Sequence, residues 1–186
     1  KLRIGYVSPD FRDHVVIRFL EPILERHDRA RFDLYCYYNH RQKDAVTERL
    51  RKLAAQWVDC EDLSDAELAD RIRADRIDIL VDLAGHTAGN SLLAMAMKPA
   101  PIQATYLGYP NTTGLGAVDL RITDAYADPP GESDRLSVEL LVRIPGTYFC
   151  YRPNRTSPDV VPLPALASPG VTFGCFNNYA KLSAQF

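Results

Sequence analysis

Short apolar runs alternate with helix-patterned segments along nearly the whole chain, and no other feature restricts the fold so strongly. Strand-like runs fall at 2–7, 32–38, 57–59, 77–83, 102–107, 120–123 and 142–144. Between the earlier ones lie amphipathic stretches. Over 15–27, Val16, Phe19, Leu20, Ile23 and Leu24 recur at helical spacing, with Pro22 expected to bend the helix or set an early boundary. A helix over 44–55 turns Val46, Leu50 and Leu53 inward. Ser64-Asp-Ala-Glu67 reads as a capping box opening a helix to about Arg73. A short helix is expected near 91–97. Strand and helix in alternation, joined by short connections, imply right-handed crossovers and a mainly parallel sheet. The class is therefore α/β, with a Rossmann-like domain over roughly 1–150. Residues 153–169 hold five prolines and no periodic pattern, so 151–170 reads as a linker. A fresh strand at 171–176 and a helix start at 177–183 read as the first βα unit of a second domain over 171–186.

A length of 186 residues suffices for one well-buried α/β domain. Both ends look cut: the chain opens on a strand and stops inside a helix pattern. A net charge of −2 points away from a nucleic-acid partner, which calls for a clustered basic surface. The sequence shows neither a signal peptide nor an apolar span long enough for a bilayer, so no membrane role is expected. Cys36, Cys60, Cys150 and Cys175 match no zinc or redox spacing. Cys36 and Cys175 lie in apolar runs, and all four read as reduced thiols in a cytoplasmic protein.

In an open α/β sheet, ligands bind at the carboxyl ends of the strands. That rule singles out two loops, 85–91 after the strand at 77–83 and 108–116 after the strand at 102–107. His14, just past the first strand, could accept a proton or bond a sugar hydroxyl, or it could be a surface or capping residue. His86 and Thr87 occupy a parallel place. Asp82 could bond a neighbour or cap the next turn. Two histidines could bind a metal, but no third ligand has fitting spacing. The loop with Tyr109, Pro110, Thr112, Thr113 and Gly114 offers a ring and hydroxyls to a ligand, or is a turn that satisfies its own backbone. His27 and His40 read as ordinary surface residues. The first strand lacks the dinucleotide glycine fingerprint, so NAD is not expected. Asn177-Asn-Tyr-Ala-Lys181 opens a helix after a strand, where phosphate binds well, or Lys181 is merely solvated.

Taken together, several motifs carry a resemblance. They are Leu2-Arg-Ile-Gly-Tyr-Val-Ser-Pro-Asp-Phe11 with His14; Asp78-Ile-Leu-Val-Asp-Leu-Ala-Gly-His-Thr87; Pro99-Ala-Pro-Ile-Gln103 with Gly108-Tyr-Pro-Asn-Thr-Thr-Gly114; Arg121-Ile-Thr-Asp124 with Ala127-Asp-Pro-Pro130; and Phe173-Gly-Cys-Phe-Asn-Asn178 with Lys181. In this order they resemble the catalytic region of the protein O-GlcNAc transferase and SPINDLY family, with the loops closer to the SPINDLY branch. The resemblance implies the first domain of a GT-B fold, two Rossmann-like domains facing across a cleft. It implies inverting, metal-independent transfer of GlcNAc from UDP-GlcNAc, or fucose from GDP-fucose, to Ser or Thr hydroxyls of a protein or peptide acceptor. No cofactor beyond the nucleotide sugar is implied. His14 would match the active-site histidine, Lys181 the lysine on the donor diphosphate, and Asn178 a nearby polar contact. A C-terminal catalytic domain and upstream TPR repeats would be the partners in the same protein. Val15 departs from the proline common after the histidine, and Arg18 is more charged than usual. Members lack a histidine at the place of His86. A non-catalytic acceptor-binding or assembly module, and a GT-B enzyme acting on a small molecule, are the rival readings.

Overall fold

The computed structural model describes residues 1–153, 156–166, 170–171 and 173–176. The chain divides into two compact units, Lys1–Pro153 and Asn154–Phe186. The first is built from β1 (Leu2–Ser8), α1 (Ile17–Arg26), β2 (Phe32–Tyr38), α2 (Ala45–Arg51), β3 (Gln56–Asp59), α3 (Asp65–Ala74), β4 (Ile79–Asp82), α4 (Leu92–Ala96), β5 (Ile102–Tyr106), β6 (Leu120–Thr123) and β7 (Leu140–Arg143). All seven strands pair in parallel in the order β3-β2-β1-β4-β5-β6-β7. This is the Rossmann-like α/β sheet that the alternation of elements predicts.

Each central strand buries both faces. One face carries Ile4, Tyr6, Leu34, Cys36, Tyr38, Val81 and Ala104, packed under Ile17, Leu20 and Leu24 of α1 and Leu50 of α2. The other carries Val7, Tyr37, Val58 and Leu80, covered by Leu68 and Ile72 of α3 and by Ala94 and Met95 of α4. The helix starts follow their side chains. Ser64 Oγ accepts the Glu67 amide, and Glu67 returns a carboxylate to the Ser64 N–H. Asp44 and Thr47 do the same for α2, so the helix expected over 44–55 begins on its cap. It ends at Arg51, and Leu53 lies beyond it.

Pro22 neither ends nor shortens α1, which is continuous from Ile17 to Arg26. Its missing N–H would have bonded the Arg18 carbonyl. That carbonyl is instead taken by the backbone N–H of Arg152 at 2.8 Å. The chain after β7 thus docks onto the flank of α1. Arg152 also pairs with Glu25 at 2.6 Å and with Glu21, which Arg49 of α2 holds as well.

Cys36 and Cys60 are buried free thiols, while Cys150 and Cys175 are exposed. Cys175 is therefore not the core residue its apolar neighbours suggest. His27 and His40 are both partly exposed, in keeping with a surface position, and each has a partner: His27 Nε2 meets the Tyr6 hydroxyl at 2.8 Å, and His40 Nδ1 accepts the Gln42 amide at 3.0 Å. In the second unit, a single 3-10 turn spans Pro164–Leu166 among the described residues. Residues 171 and 173–176 carry no strand. A strand needs a bonded neighbour, and no described residue of that unit offers a ladder. The helix start expected at 177–183, with Asn178 and Lys181, lies outside the described residues.

Candidate active site

The sheet order reverses beside β1. From β1 the chain moves outward through β2 and β3, then returns to the other side with β4. The loops after β1 and β4 therefore part, and a crevice opens between them at the carboxyl ends of the strands. A cavity of about 320 Å³ occupies that place. Asp10, Arg12, His14, Val15, Val16 and Phe19 line it from the β1 loop and α1. Thr87 and Ala88 come from the β4 loop, Leu107 and Gly108 from the β5 loop, and Phe149 from the returning chain. The volume suits a small ligand or one residue of a larger one. Charge is confined to the β1 loop.

The β1 loop is tightly held. Asp10 donates its amide to Ser8 Oγ at 3.0 Å, and Arg12 donates its amide to the Asp10 carbonyl at 2.7 Å. Asp13 N–H bonds Asp44 Oδ2 of the α2 cap at 2.7 Å. His14, half-exposed, sits between these anchors and α1. Its Nδ1 lies 3.6 Å from Asp10 Oδ2 and 3.4 Å from the amide nitrogen of Val16. Arg12 reaches the other Asp10 oxygen at 3.6 Å.

The β4 loop is anchored by Asp82, which is fully buried. Its carboxylate accepts the Ala84 and Gly85 amides at 3.1 and 2.8 Å and the Thr105 hydroxyl at 2.9 Å. Burial pushes its pKa up against these bonds. Asp82 therefore shapes the loop, as the capping alternative had it. Thr87 lines the cavity and ties its hydroxyl to the Ala84 carbonyl at 2.8 Å.

His86 takes a different place from His14. Its Nε2 bonds the Thr113 carbonyl at 2.8 Å, and its ring meets Tyr109 edge-on at 5.3 Å. It staples the two glycine-rich loops together and is not part of the cavity wall. Tyr109 lies over Gly85, where a Cβ would stand 2.3 Å from its own. Thr112 and Thr113 serve Glu139, just before β7. The Thr112 hydroxyl and the Thr113 amide each reach its carboxylate at 2.7 Å, and the Thr113 hydroxyl bonds it too. Pro110 and Gly114 are exposed. Of the residues singled out in these loops, Thr87 alone reaches the cavity.

Leu107 and Gly108 were not singled out by their side chains, yet both line the cavity. The Gly108 amide bonds the Tyr106 carbonyl at 3.0 Å, closing a three-residue turn around Leu107, whose φ is +76°. A bulky residue there is strained. Gly108 is required because a Cβ would meet the Leu83 carbonyl oxygen at 1.9 Å. Phe149 is brought in from far along the chain. Asp124 accepts the Tyr148 amide at 2.9 Å, and the Tyr106 hydroxyl bonds the Tyr148 carbonyl at 2.7 Å. Phe149 then packs on Phe19 at 5.2 Å. Asp124 lies within the Arg121-to-Pro130 motif, whose Arg121 pairs with buried Asp128 at 2.5 Å. That motif is scaffold. So is buried Gln103, whose amide nitrogen bonds the Met95 and Ala117 carbonyls at 2.9 and 2.8 Å. Asp10 and Arg12 were legible only as neighbours of His14.

Among the described residues, no group of three or more His, Cys, Asp or Glu is placed to hold a metal ion, and no helix is long and apolar enough to cross a membrane. Comparison with known proteins gives one consistent result. The profile of glycosyl transferase family 41 matches residues 1–156. A protein of Arabidopsis thaliana named probable UDP-N-acetylglucosamine–peptide N-acetylglucosaminyltransferase SPINDLY is 46% identical over 99% of this chain and 20% of its own length. A second Arabidopsis protein, named likewise but SEC, is 31% identical over the whole chain and 20% of its own length. The chain thus spans about a fifth of the curated relatives it matches. Among solved structures, a mutant of the Thermobaculum terrenum O-GlcNAc transferase superposes with a TM-score of 0.84 at 47% identity, over 87% of this chain and 31% of that one.

Proposed function

The chain belongs to glycosyl transferase family 41, and on that premise we propose that it supplies one wall of the active site of a protein O-glycosyltransferase. The observation that carries this reading is the cavity at the sheet's reversal point, with His14 on its wall. Sugar passes from a nucleotide sugar to a Ser or Thr hydroxyl of a protein or peptide. The hydroxyl oxygen bonds the anomeric carbon as the bond from that carbon to the diphosphate breaks, and the diphosphate leaves with the electron pair. His14 is the imidazole on this wall, and it is assigned to take the hydroxyl proton. The names of the two Arabidopsis relatives support UDP-GlcNAc as the donor. Lys181, with Asn178 beside it, is assigned to the leaving diphosphate, whose growing charge a lysine offsets. Inversion, the absence of a metal requirement and the partnership with a second Rossmann-like domain and TPR repeats follow from the family resemblance. Four free thiols suit a reducing, cytoplasmic setting.

The test uses the full-length protein, an acceptor peptide, and labelled UDP-GlcNAc or GDP-fucose in parallel. GlcNAc transfer is expected. His14→Ala should lower turnover by ~10²–10⁴-fold while weakening nucleotide binding less. Lys181→Met should cost ~10²–10³-fold. The isolated 186 residues should transfer negligibly. No transfer from either donor, or unaltered turnover in His14→Ala, overturns the reading. Transfer from GDP-fucose alone overturns the donor assignment.

A further inference from the structure

We propose that Asp10 is the positioning residue of His14, selecting the imidazole tautomer that carries hydrogen on Nδ1 and leaves Nε2 as an acceptor for a substrate hydroxyl. The inference rests on the functional reading above in one respect: that His14 faces a hydroxyl. Its structural basis stands apart from that reading.

Two groups compete for one nitrogen. The Asp10 carboxylate, 3.6 Å away, can only accept, so it favours hydrogen on Nδ1. The Val16 amide, 3.4 Å away, can only donate, so it favours a bare Nδ1 and hydrogen on Nε2. Val16 directly precedes α1, and the first amides of a helix have no acceptor within it, so the amide is a real competitor. The choice decides what the cavity offers. With Nδ1 protonated, His14 receives a hydroxyl proton through Nε2. With Nε2 protonated, it can only donate, and a hydroxyl nucleophile gains nothing from it.

Three features favour Asp10. At 3.6 Å its carboxylate lies just beyond hydrogen-bond distance, while the Val16 amide makes a long bond at 3.4 Å; the full negative charge of Asp10 favours hydrogen on the facing Nδ1, and a small ring rotation would close a bond roughly twice as strong as one between neutral groups. Asp10 is 8% exposed, which limits screening by water. Its position is fixed through its amide on Ser8 Oγ and through Arg12, which draws its other oxygen. Among the described residues, Arg12 is the one cation on the cavity wall, and it faces the Asp10 oxygen turned away from His14. On the same loop, Asp13 is turned to the α2 cap and Arg18. The other walls, Thr87, Ala88, Leu107, Gly108 and Phe149, are uncharged. Asp10 and His14 are also four residues apart, a spacing that the tight turn at 10–12 converts into contact.

The test substitutes Asp10→Asn, which keeps the shape and removes the charge, and Asp10→Glu, which keeps the charge. Long-range ¹⁵N spectra of His14 in the full-length protein read the tautomer directly. Wild type and Asp10→Glu are expected to show protonated Nδ1 and bare Nε2, and Asp10→Asn the reverse. Turnover of Asp10→Asn should fall by about 10²-fold or more, the usual cost of a wrong tautomer, with KM for the nucleotide sugar unaltered. In a His14→Gln background the same change should cost nothing further. Hydrogen on Nε2 in wild type, or one tautomer shared by wild type and Asp10→Asn, overturns the proposal. So does an additive loss in the double variant. Should His14→Gln alone turn over normally, the functional reading fails, while the spectra still decide whether Asp10 sets the tautomer.

Discussion

The carbonyl of Arg18 accepts the backbone N–H of Arg152 at 2.8 Å, and it does so because Pro22, four residues on, has no N–H to claim it. A proline inside a helix ordinarily costs about 3 kcal/mol. Here the vacated acceptor receives the chain returning from β7, and that chain carries Phe149 to the cavity wall. Pro22→Ala restores a competing donor. The expected result is faster hydrogen exchange at the Arg152 amide, by about fivefold for a bond of net ~1 kcal/mol. Global stability should rise by less than the usual ~3 kcal/mol, because the reused acceptor already recovers part of that cost. Unaltered Arg152 exchange, followed by mass spectrometry or NMR, would show that the carbonyl is not contested.

Leu107 yields a second prediction, on the cavity floor. Its φ of +76° is one that glycine adopts freely and L-residues do not. Elsewhere in a folded chain, alanine is normally the more stable choice than glycine. At position 107 the order should invert, with Leu107→Gly more stable than Leu107→Ala by about 1–2 kcal/mol. Both lose the same side-chain contacts to within a methyl group, so the comparison isolates the backbone. Urea midpoints of the two variants decide it; equal midpoints, or Ala above Gly, would mean the turn relaxes without cost.

The sheet and its helices were legible because each rests on a local signal. Short apolar runs marked the strands, and Ser64 with Glu67 marked a cap that the structure reproduces bond for bond. Of the two readings of Pro22 the early boundary fails, and its longer-range consequence was not legible because it lies 130 residues away, in Arg152, where no local rule reaches. The site was half legible. His14 and Thr87 follow from strand ends alone. His86, Thr112 and Thr113 looked like ligand groups because sequence cannot show that a carbonyl and Glu139 already occupy them. Leu107 escaped notice because what places it in the wall is a backbone turn rather than a reactive side chain, and Gly108 was marked only as the first residue of the loop 108–116.

Thiol chemistry separates the four cysteines. Burial pushes Cys36 and Cys60 up to about 12, so neither forms thiolate near neutral pH. Cys150 and Cys175 are exposed. A thiol reagent at pH 8 should modify these two in the native protein, and Cys36 and Cys60 only after unfolding in denaturant. Peptide mapping of the labelled protein checks the assignment. Modification of Cys36 or Cys60 at the rate of Cys150 would show that the sheet opens far more readily than its packing implies.

Glu139 links the loop bearing Thr112 and Thr113 to the start of β7, and this link should make stability depend on acid pH in a defined direction. Burial raises its pKa, but hydrogen bonds from the Thr113 and Thr112 side chains and from backbone amides outweigh that, so the folded value lies below the usual carboxylate range. An unfolded glutamate titrates near ~4.3. Between the two values the unfolded chain binds more protons, so folding loses stability as pH falls. The contribution is whole above the unfolded value and is lost as pH drops through the folded one. Glu139→Gln cannot titrate, and its amide nitrogen turns a donor toward groups that themselves donate. At pH 7 the variant should be less stable by about 1–3 kcal/mol, the range for a charged acceptor removed from buried donors. The gap between wild type and variant should then narrow steadily below about pH 4 as the wild type protonates. Urea unfolding of both proteins at pH 7 and pH 3 measures it. A gap that stays constant or widens in acid would show that Glu139 is not held as a carboxylate, and that the threonine loop is carried by the His86 staple instead.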